Sequence, residues 1–294
     1  MRPVDADLYP FPENFFEHEG LRLHYVDVGQ GDGPPVVCVH GNPTWSFYWR
    51  EALKTLQGQR RCIALDHIGC GKSDKPGDDR YAYTLAQRVA DLGALIDHLG
   101  LERVDLMAHD WGGMIACAWA AAHPERVGRI VLMNTGAFPM PPAKKLPRSL
   151  WLARDTALGA LLVRGFNAFS AGATRMAVTR PLPPAVRRGL TAPYDSWANR
   201  IATLRFVQDI PLKPDDRAWP VVAACEAALA AGALAHVPVL LLWGMRDFVF
   251  DHHFLERFEA LLPHAVSHRF EAAGHYVLED AQEAILPLLK DFFS

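Results

Sequence analysis

The chain predicts an α/β fold, with a mostly parallel sheet covered by helices on both faces and a helical cap inserted between two strands. Three observations carry that expectation. Short apolar runs alternate with segments of helical spacing, the pattern of strand–helix–strand units in a parallel sheet. One run, Arg103 to Ala108, leads through Asp110 into a Gly- and Ala-rich helical stretch, which reads as a strand, a sharp turn and a helix. Residues 136–235 break the rhythm and hold no convincing strand.

The elements follow in order. Leu21 to Val28 alternates and is expected to form an early strand. Pro35 to His40 is a short continuous apolar run, as a strand buried on both faces should be. Arg61 to Leu65 is another, ending at Asp66. Thr84 to Leu99 has helical spacing, with Thr84 as N-cap and Gly100 as the stop. Arg103 to Ala108 is the next strand, followed by a helix to Ala122, and Arg129 to Met133 is a further strand. Val237 to Trp243 and Ala265 to Phe270 are two more, with a helix from His252 to Leu262 between them. A last helix is expected from Asp280 to Phe293. Residues 1–135 and 236–294 therefore form the core. Residues 136–235 form the cap, broken by proline clusters at Pro139 to Pro142, Pro181 to Pro184 and Pro211 to Pro214.

Composition excludes several functions. A net charge of −3 gives no electrostatic footprint for nucleic acid. The loose basic group Lys144, Lys145 and Arg148 reads as a solvated face. The five cysteines are odd in number and lack a C-x-x-C pair, and three fall in apolar runs, which points to a reducing compartment. Met1 to Phe16 has no signal-peptide pattern, and no apolar run is long enough to span a bilayer. The expected location is cytoplasmic.

The chemistry centres on Asp110. Ala108 and Gly112 flank it two positions away on each side, the small-x-nucleophile-x-small pattern of a nucleophile elbow. A carboxylate there forms an ester, which can be resolved. Serine attacking a saturated carbon would form an ether, which cannot. Asp110 therefore points to reactions that open a bond at a saturated carbon or a strained ring. Asp247 and His275 each follow the C-terminal end of an expected strand, where open α/β sheets build their sites. The chain order nucleophile, acid, histidine is that of an α/β-hydrolase triad. In it Asp247 orients His275, and His275 activates water against the Asp110 ester. His40-Gly41-Asn42-Pro43-Thr44-Trp45 follows the first core strand, and Pro43 is a candidate cis proline. The backbone N–H groups of Asn42 and Trp111 are candidates for an oxyanion hole. Their side chains offer two further donors for an anionic leaving group.

Other motifs carry less. Gly71-Lys72-Ser73 resembles the end of a P-loop, but the required first glycine falls on Asp66. Ser170 has small neighbours but no strand before it. His252 and His253 are adjacent and are expected to face different directions, a poor metal pair. No cofactor and no metal are expected.

His40 to Trp45, together with His109-Asp110-Trp111-Gly112-Gly113, resembles the haloalkane dehalogenases, α/β-hydrolases with a helical cap. The resemblance implies Asp110 as nucleophile, His275 as base, Asp247 as acid, and Asn42 with Trp111 as the halide-stabilising pair. Within the cap, Phe166 to Ala173, Ala192 to Trp197 and Arg205 to Leu212 are similar to bacterial β-lactone decarboxylases of long-chain olefin biosynthesis, and so is Trp243 to Asp247 in the core. That likeness implies conversion of a dialkyl β-lactone to an alkene and carbon dioxide, beside other enzymes of the pathway. The sequence leaves open whether Asp110 attacks the ring carbon or the carbonyl. The rival readings are a true haloalkane dehalogenase, an epoxide hydrolase and a non-catalytic binding protein. An epoxide hydrolase would usually use two cap tyrosines, and Tyr194 is the only tyrosine in 136–235. A binding protein would normally lose a triad member.

Overall fold

In the computed structural model of the chain, which describes residues 1–294, eight strands form one sheet. They are β1 (Asn14–His18), β2 (Leu21–Val28), β3 (Val36–Val39), β4 (Cys62–Leu65), β5 (Val104–Asp110), β6 (Val127–Thr135), β7 (Val239–Gly244) and β8 (Val266–Phe270). Their order across the sheet is β1-β2-β4-β3-β5-β6-β7-β8. The pairs β1–β2 and β2–β4 are antiparallel, and every pair from β4 to β8 is parallel. The N-terminal helices are α1 (Arg50–Leu56), α2 (Leu85–His98) and α3 (Trp111–Ala122). Between β6 and β7 lie α4 (Arg148–Asp155), α5 (Ala157–Phe166), α6 (Ala168–Met176), α7 (Pro184–Thr191), α8 (Ile201–Gln208) and α9 (Trp219–Ala230). The chain closes with α10 (His252–Leu261), α11 (Val277–Asp280) and α12 (Gln282–Phe292).

The central strands are apolar throughout because both faces are covered. Val37, Val39, Leu106, Ala108 and Leu241 pack in one core with α2, α3 and α10. Their neighbours Val36, Cys38, Met107, Leu240 and Leu242 pack in the other, with α1 and α12. This is the period-two alternation of a pleated strand. Thr84 caps α2 by accepting from the Gln87 N–H. Helix α9 falls within 136–235, yet its buried Val222, Cys225 and Leu229 join the core against α3. All five cysteines are free and buried, and no helix is long and apolar enough to cross a membrane.

Two features differ from the expectation. Strand β1 was not expected, because Asn14-Phe15-Phe16-Glu17-His18 does not alternate. A two-residue loop, Glu19-Gly20, joins it to β2 with both residues at positive φ, 51° and 74°. That is a hairpin turn matched to strand twist, and Glu-Gly was its only sequence mark. The last helix forms as expected, but a short helix not expected, α11, precedes it, with a break at Ala281 between the two. The Asp280 carboxylate there turns back to accept the Gly274 and Thr179 N–H groups, which ties the chain end to the His275 loop and to the segment after α6.

Candidate active site

Strand β5 ends in a register shift at His109/Asp110 and turns directly into α3. Asp110 sits at the turn with φ 54° and ψ −130°, a backbone conformation that L side chains rarely adopt. The neighbours explain why it holds. A Cβ on Gly112 would lie 1.9 Å from the Val39 carbonyl oxygen, and one on Gly113 would lie 2.0 Å from Thr135 Oγ1. Only residues without a side chain let α3 approach β3 and β6 this closely. The Thr135 hydroxyl donates to the Asp110 carbonyl oxygen, fixing the turn from β6.

The three triad candidates converge. His275 Nδ1 lies 2.7 Å from Asp247 Oδ2, and His275 Nε2 lies 3.4 Å from Asp110 Oδ2. All three residues are buried. The other Asp110 oxygen, Oδ1, accepts the Asn42 backbone N–H at 2.6 Å. The backbone donor read as half of an oxyanion hole therefore holds the carboxylate of Asp110, and leaves Oδ2 turned toward His275. The Asn42–Pro43 peptide is cis. Gly41 beside it is indispensable to this arrangement, since a Cβ there would lie 2.2 Å from Asp110 Oδ1. The Asn42 side chain donates through Nδ2 to the Thr203 carbonyl at 3.1 Å, and its Oδ1 is buried without a partner. Asn42 and Trp111 both line the cavity above Asp110.

The charges are strongly coupled. Burial alone would neutralise His275, but Asp247 and Asp110 raise it to about 10. Burial likewise pushes the Asp110 carboxyl up, and the hydrogen bond and charge of His275 reverse this and hold it below the ordinary carboxylate range. The resting site is thus an imidazolium between two carboxylates. The His109 ring lies tilted against the His275 ring with centroids 4.6 Å apart, and is pushed down to about 3 by burial and by the charge of His275. It stays neutral, and its Nε2–H donates to the His275 carbonyl at 2.8 Å, which fixes the loop.

Several positioning residues escaped the sequence reading. Asn134, at the end of β6, has φ 31° and is fully buried. Its Nδ2 donates to Asp247 Oδ2 and to the Gly244 carbonyl, both at 3.0 Å, and its Oδ1 accepts the Gly244 N–H at 2.7 Å. The Val249 N–H occupies Asp247 Oδ1 at 2.7 Å. Arg50 on α1 grips Glu279 with two hydrogen bonds, at 2.6 and 2.8 Å, behind the His275 loop. A polar Asn134-Thr135 pair ending an apolar strand was the available signal.

The cavity over Asp110 measures about 310 Å³, and 22 of its 31 lining residues are hydrophobic. Its floor is Asp110, Trp111 and His275, and its walls include Leu150, Leu162, Val163 and Phe169 from the helical region between β6 and β7. Tyr194 is not among the lining residues, and its hydroxyl donates to the Thr44 carbonyl at 3.1 Å. The expectation for His252 and His253 needs correction. Their rings lie tilted together with centroids 4.0 Å apart, and Asp251 joins them within ligand reach. Asp251 is the N-cap of α10, and its carboxylate is already taken by Lys144 Nζ and the His253 N–H.

Comparison with known proteins identifies the family. A family model described as the alpha/beta hydrolase fold matches residues 34–282. A cis-3-alkyl-4-alkyloxetan-2-one decarboxylase of Shewanella oneidensis is 51% identical, over 98% of this chain and 90% of the relative. A protein of the same name from Xanthomonas campestris is 46% identical, over 96% of this chain and 95% of the relative. Haloalkane dehalogenase 2 of Mycobacterium tuberculosis is 32% identical, over 98% and 97%. Among solved structures, a haloalkane dehalogenase of Bradyrhizobium elkani superposes with a TM-score of 0.86 at 29% identity, covering 96% of this chain and 97% of the other. The chain belongs to the alpha/beta hydrolase fold family, in its haloalkane dehalogenase-like branch.

Proposed function

We propose that the protein is a β-lactone decarboxylase that converts a cis-3,4-dialkyl β-lactone to an alkene and carbon dioxide. The observation that carries this reading is the 51% identity, along 98% of the chain, to a cis-3-alkyl-4-alkyloxetan-2-one decarboxylase. In this reading Asp110 is the nucleophile, Asp247 orients His275, and His275 is the cation that balances charge as it moves.

Electron bookkeeping favours attack at the ring carbon. Asp110 Oδ2 bonds to the alkyl-bearing carbon next to the ring oxygen, and the bond between those ring atoms breaks. The products are an alkyl ester on Asp110 and a free carboxylate on the adjacent carbon. That carboxylate then leaves as carbon dioxide. Its carbon–carbon electron pair becomes the alkene, and the ester carbon–oxygen bond breaks to restore Asp110. No water is consumed, so His275 need not act as a base. The imidazolium and the Trp111 side chain face the negative charge of that carboxylate from the cavity floor, while the Asn42 backbone N–H stays on Asp110 Oδ1 and its side chain on the Thr203 carbonyl. Esterification removes the Asp110 charge that helps raise His275, so the imidazole becomes a better base when an ester must instead be hydrolysed. Helices α4 to α8 serve as the cap, whose apolar walls suit alkyl chains and keep water from the ester.

The haloalkane dehalogenase reading uses the same triad and rests on the 32% identity to such an enzyme. Tyr194, engaged with Thr44, weighs against an epoxide hydrolase. The substrate's chemistry calls for a partner upstream that closes a β-hydroxy acid into the strained ring, and the five buried free thiols support a reducing, cytoplasmic setting. The test is a side-by-side assay of purified protein on a synthetic cis-β-lactone and on 1-bromo- and 1-iodoalkanes. Alkene from the lactone at the higher kcat/KM is expected. Faster turnover of the bromide would overturn the assignment.

A further inference from the structure

The cap is unlike the rest of the molecule in charge and in exposure. Residues 136–190 carry nine lysines and arginines against one acid, Asp155, in a chain whose net charge is −3. Of the nine, only Lys144 and Arg154 form ion pairs with carboxylates. Six of the nine large apolar side chains that the fold leaves exposed lie in this region or beside it: Trp151, Leu158, Leu161, Phe166, Met176 and Trp197. Helix α5 is the extreme case. Its ten residues include one charge, Arg164, and it buries Gly159 and Val163. Leu158 and Leu161 nevertheless stand in solvent on another face, and Phe166 at its end is 73% exposed. A helix that is apolar all round is normally buried.

A second observation points the same way. Between α6 and α7 is a hollow of about 340 Å³ lined by Arg175, Arg187 and Arg188 with Thr174 and Thr191, and no acid lines it. None of these arginines has a carboxylate partner, and the Arg164 guanidinium lies over the Trp197 ring at 4.6 Å. Exposed Leu and Phe interleaved with unpaired Arg is the chemistry of a peripheral contact with an anionic lipid interface. The cavity reaches the same region, because Met176 and Phe248 both line it and both are exposed. A second copy of the chain on this face would bring two strongly basic surfaces together, which disfavours self-association there.

We infer that the α4–α7 face of the cap docks on an anionic phospholipid surface, with the apolar side chains of α5 in the interface and phosphate groups at the Arg175, Arg187 and Arg188 hollow. The mouth of the cavity then opens toward the bilayer. An apolar substrate enters and an alkene leaves without crossing water; this last clause rests on the proposed function, whereas the docking itself does not.

The test is co-sedimentation of the full chain with vesicles of phosphatidylcholine alone and of an equal mixture with phosphatidylglycerol. Binding to the mixed vesicles and not to the neutral ones is expected, weakening as salt is raised. Each arginine replaced should lower partitioning about fivefold. Arg187→Glu with Arg188→Glu tests the electrostatic part, and Leu158→Ser with Leu161→Ser and Phe166→Ser tests the apolar part. None of these side chains lines the cavity, so turnover of a short, water-soluble substrate serves as the folding control and should be unchanged. Absence of binding to mixed vesicles at low salt overturns the inference. So does binding that survives both sets of substitutions, and so does a dimer in solution that the leucine substitutions dissociate without any vesicle binding. Loss of lactone turnover with intact vesicle binding would count against the proposed function alone.

Discussion

Replacing Gly41 by alanine should damage turnover far more than stability. The added methyl would start 2.2 Å from Asp110 Oδ1, 2.4 Å from its Cβ and 2.7 Å from its Cγ. Ordinary contacts of this kind begin near 3.4 Å, so the carboxylate must recede by about 1 Å. Gly41 does not need a positive φ, so backbone strain is not the issue. The neighbour that must yield is the carboxylate proposed to react. Receding breaks the 2.6 Å bond from the Asn42 N–H and upsets the 3.4 Å approach to His275. A misplacement of about 1 Å at a reacting group costs about 100-fold in rate, which corresponds to about 2.7 kcal/mol at the transition state. Gly58→Ala is the control, because nothing lies within 4 Å of a Cβ there. The assay compares kcat on the β-lactone and the thermal midpoint for both variants. Gly41→Ala with wild-type turnover would refute the claim that Gly41 is there to make room for Asp110. Gly112→Ala should behave differently, since its methyl would meet the immovable Val39 carbonyl at 1.9 Å and lower the midpoint instead.

Three further outcomes are expected. Asp110→Ala should abolish turnover while the protein melts as a folded domain, and His275→Ala treated with a 1-iodoalkane should accumulate an alkyl ester on Asp110, visible by intact mass. The pH dependence follows from His275. Its folded pKa, about 10, lies above the ordinary 6.5, so the stability it contributes is fully present below about 6.5 and is lost as pH rises through about 10. Lactone turnover should accordingly hold between pH 7 and 9 and fall near pH 10, and Asp247→Asn should move that limb to lower pH; a limb near 6.5 in the wild type would contradict the imidazolium assignment. Asn134→Ala leaves the Gly244 N–H without its acceptor and removes one of the two groups held by Asp247 Oδ2, the other being His275, and should destabilise the protein by about 2 kcal/mol as read by denaturant unfolding, with kcat falling more than KM rises.

Much of this architecture is legible in the sequence, for identifiable reasons. The core strands announce themselves because burial on both faces forces continuous apolar runs such as Pro35 to His40. Asp110 stands out because the elbow admits only small residues at 108 and 112. The antiparallel strand β1 does not, because its pairing is specified by the Glu19-Gly20 turn rather than by its own pattern. The break at Ala281 is invisible for a similar reason, since Asp280 serves partners, Gly274 and Thr179, that the fold brings from afar. Asn134 and the Arg50–Glu279 pair act only through tertiary contacts. The three triad candidates are legible as residues, but the hold of the Asn42 N–H on Asp110 is a contact across 68 positions that no local pattern marks. The exposure of α5 is likewise unmarked, since helical spacing in an apolar segment normally signals burial.

The most direct test combines a product and an isotope. The purified protein is given a synthetic cis-3,4-dialkyl β-lactone in water enriched in heavy oxygen, the organic product is identified by gas chromatography, and the Asp110 peptide is weighed. Decarboxylation through an alkyl ester predicts an alkene and an unlabelled Asp110, because the ester leaves by breaking its bond to the alkyl carbon. A β-hydroxy acid as product, or heavy oxygen in Asp110 after lactone turnover, would contradict it and mark the protein as a hydrolase that attacks the ester with water.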